Sequence, residues 1–312
     1  MDVFADVLAA TGFRGVLLPQ LRSSGASWGC AVDQLGTAGF HLIAEGACWL
    51  RTADMPPMQL VSGDVVLLPR GTAHQLTGAP LADAVPFADL EAAHPPGGEG
   101  VVDLGGDGPT VRVVRGKFPY AGDSSGHPIL SALPEVVCVP GMSADPQLQS
   151  IIRIIAAETT GGRAGSLTVA TKLTEVLFVL AVRACIERAD QAAVTGPSWL
   201  TALSDPRIGP ALSLMHEAPH RDWTVETLAN TIAMSRPAFA RRFKAIVGTT
   251  PLAYLSRVRI DHAARLLRDT DDPVGHIAQS VGYQSEFAFS RAFSREHGIA
   301  PGRYRRTAST QP

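Results

Sequence analysis

Residues Thr224–Val247 read TVETLANTIAMSRPAFARRFKAIV, and residues Pro273–His297 read PVGHIAQSVGYQSEFAFSRAFSREH. In the first stretch Val225, Leu228, Ala229 and Ile232 fall at i, i+3, i+4 and i+7, which puts four apolar side chains on one helical face. Thr224 is placed to cap that helix, and Glu226 lies in its first turn, where a carboxylate favours the helix dipole. A break at Ala233-Met234 precedes Ser235, a second cap, and Pro237 is tolerated in the first turn of the next helix. This second helix buries Phe239, Phe243, Ile246 and Val247 and turns Pro237, Ala240, Arg241 and Lys244 outward. Two short helices, a tight turn and a small or basic outer face describe a helix-turn-helix.

Any helical hairpin gives a similar pattern, so the recurrence decides. Asp272-Pro273 reads as an N-cap and first-turn pair, and Val274, Ile277, Ala278 and Val281 repeat the first buried stripe. Gly282-Tyr283 forms the turn and Ser285 caps again. Phe289, Phe293 and Arg291 follow Phe239, Phe243 and Arg241 by 50 residues, and the outer stripe becomes Phe287, Ser290, Arg291 and Ser294. Between the two units Thr250-Pro251 opens a helix over Leu252–Leu267. At ~1.5 Å per residue it is ~24 Å long, enough to hold two reading helices near the ~34 Å between successive major-groove faces.

The order and spacing of Arg259-Ile260, Ala263-Ala264, Leu266-Leu267, Ile277-Ala278, Gly282-Tyr283, Ser285, Phe289-Ser290-Arg291, Phe293, Gly298, Pro301 and Tyr304-Arg305 resemble the AraC/XylS family of transcription regulators, and the likeness runs from Trp223 to Arg306. The resemblance implies seven helices, with two helix-turn-helix units joined by a long helix, and double-stranded DNA as partner. It assigns base-facing roles to Arg236, Pro237, Ala240 and Arg241 on the first reading helix and to Glu286, Phe287, Ser290 and Arg291 on the second. Arg241 and Arg291 suit bidentate reading of guanine, and Phe287 suits either a thymine methyl or packing on its neighbours. Arg242, Lys244, Arg295, Arg303 and Arg305 suit phosphate contacts or a solvated face. Two departures stand out: Ala233 occupies the usual glycine of the first turn, and Ser294 replaces a common basic residue. Family members are often activators, which adds RNA polymerase to the expected partners.

Charge is divided to match. Residues 199–312 carry 15 Lys and Arg against 10 Asp and Glu, whereas residues 1–198 carry 12 against 19, so a near-neutral chain has a basic end suited to a polyanion. A length of 312 residues favours more than one domain. No apolar run approaches the ~18–20 residues of a membrane span, and Asp2 and Asp6 in a start without basic residues do not suit a secretory signal. Cys30, Cys48, Cys138 and Cys185 are widely spaced, as buried thiols in a reducing, cytoplasmic setting would be.

Residues 1–140 alternate short apolar runs with Gly and Pro, the texture of a β-barrel or sandwich. Residues 141–198 turn helical, with stripes at Ile151, Ile154 and Ile155 and at Leu173, Val176, Leu177 and Leu180, and Thr195–Ser198 reads as a linker before the helical region 199–312. The expected fold class is α+β: a β-barrel, a helical dimerisation or linker region, and an all-α DNA-binding domain. Gly63, Pro69, Gly71 and His74 are spaced as in the second cupin motif, and His41 and Glu45 as at the end of the first, where the usual preceding His is Gly39. With the run His127–Pro134, they make this half similar to the cupin-type sensor domains of AraC-family members, which bind a small effector or mediate homodimers. Two readings stay open for His41, Glu45 and His74: hydrogen-bonded barrel residues, or ligands of a divalent metal. The second admits a metal-dependent cupin oxygenase or isomerase as the alternative to a non-enzymatic regulator.

Overall fold

The computed structural model describes Leu8 and residues 13–97, 100–119, 129–130, 133–143, 145–191, 202–203 and 205–308. They fall into two compact units, one within residues 14–192 and one within residues 193–312 together with Leu8 and Phe13. The Thr195–Ser198 linker, the 198/199 boundary and half of the His127–Pro134 run lie outside the described residues. No described helix is long and apolar enough to cross a membrane.

The first unit contains β1 (Val16–Ser24), β2 (Gly29–Val32), β3 (Ala38–Glu45), β4 (Ala47–Arg51), β5 (Met58–Val61), β6 (Val65–Leu68), β7 (His74–Thr77), β8 (Val85–Pro86), β9 (Val101–Asp103), β10 (Thr110–Phe118) and β11 (Val137–Val139), with helices α1 (Phe87–Ala93), α2 (Pro146–Glu158) and α3 (Ser166–Gln191). The strands make a six-stranded sheet, β11-β6-β3-β10-β1-β9, and a five-stranded sheet, β5-β4-β7-β2-β8. An apolar core including Leu21, Cys30, Ile43, Leu50, Leu76 and Val113 draws on both sheets. β3 is buried over its first six residues rather than alternating, because both of its faces are covered. Ile43 joins that core, while Phe40 meets Phe118, and Phe118 meets Phe178 of α3, with ring centroids 5.2 and 5.1 Å apart.

The helical stripes sit rotated from their expected positions. Asp145 caps α2, accepting from the Gln147 and Leu148 amides, and the buried residues are Leu148, Ile152 and Ile155, with Ile154 exposed. On α3 Leu177 and Leu180 are buried as expected, but Thr174, Phe178 and Ala181 join them and Val176 faces out. Runs of adjacent apolar residues fit more than one rotation of a helix, and here packing on the sheet selects it. Cys30 and Cys48 are buried thiols, whereas Cys138 and Cys185 are partly exposed.

The second unit contains α4 (Ile208–Glu217), α5 (Val225–Thr231), α6 (Arg236–Val247), α7 (Pro251–Asp269), α8 (Val274–Ser280), α9 (Glu286–His297) and α10 (Pro301–Ala308). α5 and α6 form the first helix-turn-helix and α8 and α9 the second. The Met234 amide donates to the Ala229 carbonyl in one turn, and the Tyr283 amide to the Ala278 carbonyl in the other, both at 2.9 Å. From there the turns diverge: residues 232–235 separate the first pair of helices and 281–285 the second, so the second turn is one residue longer. Both reading helices end on a left-handed glycine, Gly248 and Gly298. Caps differ from expectation at two places: Ser235 makes no side-chain cap bond, and α8 is preceded by Pro273, not Asp272, at the N-cap.

α7 serves both helix-turn-helix hairpins. Its Tyr254 ring packs on Phe243, 5.8 Å between centroids, and the Tyr254 hydroxyl shares a 2.9 Å hydrogen bond with His216 Nε2 of α4. Further along, Ile260, Ala263, Ala264 and Leu267 join Ile277, Ala278, Val281, Phe289 and Phe293 in the core of the second unit. Between these contacts Arg259 donates through Nε to the Pro219 carbonyl (2.7 Å) and through Nη2 to the Arg221 carbonyl (2.9 Å), with its Cζ 6.0 Å from the Tyr283 ring centroid. Ser256 Oγ lies 3.1 Å from the Tyr283 hydroxyl. Gly282 (φ +90°) lets this turn approach closely: a Cβ there would stand 2.8 Å from the His220 carbonyl oxygen. The matching strain falls on Ala233, at φ +54° the one described non-glycine residue with positive φ.

Ala233→Gly is expected to stabilise the DNA-binding unit by about 1 kcal/mol, since it removes the left-handed penalty of a Cβ; chemical denaturation would show a higher midpoint at unchanged slope. Arg259→Met, which deletes two charge-assisted bonds, should cost about 2 kcal/mol in the same assay. A cost below the error of the measurement would show that the contact does not tie the two hairpins together.

Candidate nucleic-acid interface

Each reading helix has a closed face and an open one. On α6 the Phe239 and Phe243 side chains are buried, which turns Arg236, Pro237, Arg241 and Lys244 into solvent and leaves Ala240 half-buried. On α9 Phe289 and Phe293 are buried, Glu286, Phe287, Arg291 and Arg295 are exposed, and Ser290 is half-buried. The expected base-facing residues therefore share the outer face of their helix in both units. Phe287 is 71% exposed, a large apolar side chain held out from a helix whose core is already filled. The Arg291 guanidinium stands 5.9 Å from its ring centroid.

Two expected phosphate anchors are already engaged. Arg242 bonds Asp205 at 2.6 Å, and Asp205 also accepts from the Arg207 and Ile208 amides at the start of α4. Burial raises the Asp205 carboxyl pKa, but Arg242 and the two amides outweigh it and hold the group below the ordinary carboxylate range. Arg305 donates to the Asp272 carbonyl ahead of α8. These partners lie 37 and 33 residues away in the chain, so no local pattern announces them. Arg259 was visible only as a motif position; its role at the junction depends on carbonyls 38 and 40 residues upstream.

In the barrel, Gly63 (φ +92°) and Gly71 (φ +63°) explain their motif. At Gly71 a Cβ would lie 2.3 Å from the Leu35 carbonyl oxygen, so only glycine lets this loop close on residues 35–37. The loop then delivers His74 into the interior at the start of β7, 4% exposed. Its Nδ1 donates to the Thr72 carbonyl at 2.7 Å, and its Nε2 stands 2.6 Å from His41 Nε2. Desolvation in the interior keeps both imidazoles neutral, with the His74 pKa lowered to about 4.

Glu45 does not join them. Ile43 pairs with Val113 and Glu45 with Arg112, so β3 spends an extra residue at Ala44. This bulge reverses the alternation that places His41 inward, and Glu45 is exposed. The expected set of His41, Glu45 and His74 is thus reduced to two imidazoles. Two nitrogens bound to one tetrahedral ion stand roughly 3.4 Å apart, which a 2.6 Å hydrogen-bonded pair does not match. Arg115, the register partner of His41, adds a cation to the same interior. Among the described residues no group of three or more His, Cys, Asp and Glu is arranged to hold a metal ion. Among the described residues the paired imidazoles beside Arg115 do not fit a divalent cation, and Glu45 stands apart from the ligand set expected for the cupin-enzyme alternative.

A cupin family model matches residues 2–187 and a helix-turn-helix domain model residues 228–307. An AraC-like transcription regulator of Streptomyces antibioticus is 37% identical over 314 residues, spanning 98% of this chain and 99% of that protein. The transcriptional regulator AlkR of Acinetobacter baylyi is 33% identical over 271 residues, 85% of this chain and 86% of its own. The transcriptional activator RclR of Escherichia coli, named for its specificity for RCS, is 30% identical over 275 residues, covering 87% and 85%. Two like-built hairpins with open outer faces, a β-rich first unit and likeness to these regulators over most of the chain lead to one assignment: the chain belongs to the AraC-type family of DNA-binding transcription regulators, with a cupin domain ahead of its helix-turn-helix units.

Proposed function

We propose that the chain is a cytoplasmic regulator that docks α6 and α9 in successive major-groove segments of an operator, while its barrel unit senses a small effector or brings two protomers together. The observation that carries this reading is the pairing of two hairpins on one helix, each with its aromatic residues inside and an arginine, Arg241 or Arg291, on the outer face. Arg241 and Arg291 read guanine edges in this proposal, Arg236, Pro237, Ala240, Glu286, Phe287 and Ser290 shape the base contacts, and Lys244 and Arg295 hold phosphate. Ile154, Val169 and Val176 are apolar and about two-fifths exposed on α2 and α3, as residues awaiting a second copy would be. Activation, with RNA polymerase as a further partner, is carried over from the relative named as an activator.

The test is fluorescence anisotropy on an operator selected from a random library. Affinity should fall steeply with salt, through release of counterions from the phosphates. Arg241→Ala and Arg291→Ala should each cost about 1–3 kcal/mol and flatten preference at one position of the site. Lys244→Ala should weaken all sequences alike and reduce the salt slope by about 1. Unchanged affinity and preference in both arginine variants would remove the assignment of the reading faces.

A further inference from the structure

The barrel interior holds a charge that no hydrogen-bonded partner among the described residues balances at its Nε and Nη1. Val111, Val113 and Arg115 occupy alternate positions on β10, and the two valines belong to the core between the sheets. Arg115 follows them inward and is 3% exposed. Its Nε and Nη1 have no hydrogen-bond partner among the described residues, nor does Nδ1 of His41. His41 is the register partner of Arg115 across β3 and β10, so the two side chains rise from adjacent points on the same face. The Arg115 Cζ lies 3.7 Å from the Phe87 ring centroid on α1, a contact that attracts the cation but accepts no hydrogen bond. Glu91, also on α1, acts on Arg115 only through space, and burial keeps the Cys30 thiol protonated by raising its pKa to about 11. A guanidinium does not shed its proton to escape burial, so an anion is the compensation open to it.

The hydrogen bonds of the histidine pair define the rest. His74 Nδ1 donates to Thr72, so its Nε2 is the acceptor in the 2.6 Å contact and His41 Nε2 is the donor. That leaves His41 Nδ1 with a buried lone pair and no donor to it among the described residues.

We propose that the barrel interior binds the head group of a small hydroxylated oxyanion: Nε and Nη1 of Arg115 donate to the anionic oxygens, and His41 Nδ1 accepts from the ligand's hydroxyl. A 2-hydroxycarboxylate and a hydrogen phosphate share this chemistry. α1 is the wall that yields on entry, since none of its residues is buried and Phe87 covers the guanidinium. The inference rests on the reading of the barrel as a sensor, and names what it senses.

Thermal melting of the full chain tests it, with glycolate, acetate and phosphate added at millimolar concentration and sodium chloride matching ionic strength. Glycolate should raise Tm more than acetate, because acetate lacks the hydroxyl; phosphate separates the oxyanion sources. Arg115→Met should remove these shifts while raising the anion-free Tm, and Arg115→Lys should keep a reduced shift. His41→Phe should erase the difference between glycolate and acetate. The proposal is overturned if neither glycolate nor phosphate raises Tm above the chloride control, if the shift survives in Arg115→Met, or if Arg115→Met melts below the parent without anion. Operator affinity with and without glycolate separates the two layers: an Arg115-dependent shift without change in DNA affinity supports the anion site and removes the sensor reading alone.

Discussion

The Pro219 and Arg221 carbonyls that Arg259 holds lead into the first helix-turn-helix, and the Tyr283 ring it lies near belongs to the turn of the second. A planar guanidinium offers its donors in fixed directions, so it accepts only one arrangement of these segments. Gly282 is part of the same constraint, because a side chain there would press on His220 and on Arg259 itself. With Tyr254 packed on Phe243 at one end of α7 and Leu267 in the second core at the other, the long helix is a fixed bar with a bolt at its middle. The separation of the two reading faces is therefore a property of side-chain packing, not of linker length.

The barrel unit is organised by a strand covered on both sides. β3 sends Phe40 toward the aromatic contact with Phe118, and His41 and Ile43 toward the interior, so the polar groups His41 brings are sealed by apolar neighbours. Sealing makes the few ionisable groups consequential. The imidazoles stay neutral, the thiols stay protonated, and Arg115 keeps the single formal charge among the interior groups described above.

The helical hairpins were legible because their burial depends on contacts three and four residues apart, and the paired phenylalanines fix the phase of each reading helix. Ala233 was visible only as a departure from the usual glycine of the first turn; that it still adopts the positive φ a glycine would take was not. Features set by distant partners were not. The bulge that expels Glu45 arises in pairing with β10, the ties of Arg242 and Arg305 reach across the domain, and the rotation of α2 and α3 is chosen by the sheet beneath them. Arg115 left a readable trace, a charge two residues beyond Val113 in phase with an inward stripe, but that phase becomes visible only when the strand's inner face is known.

The second turn carries one residue more than the first, and the two open faces differ in kind: Arg236, Pro237, Ala240 and Arg241 against Glu286, Phe287, Ser290 and Arg291. Two such hairpins on one rigid bar are not interchangeable. Under the proposed docking, a single protomer meets its target as an arrow rather than a palindrome, with a head and a tail. Inverting the target along the duplex would turn the helical unit around with it, so that its two unlike faces keep their order along the strand.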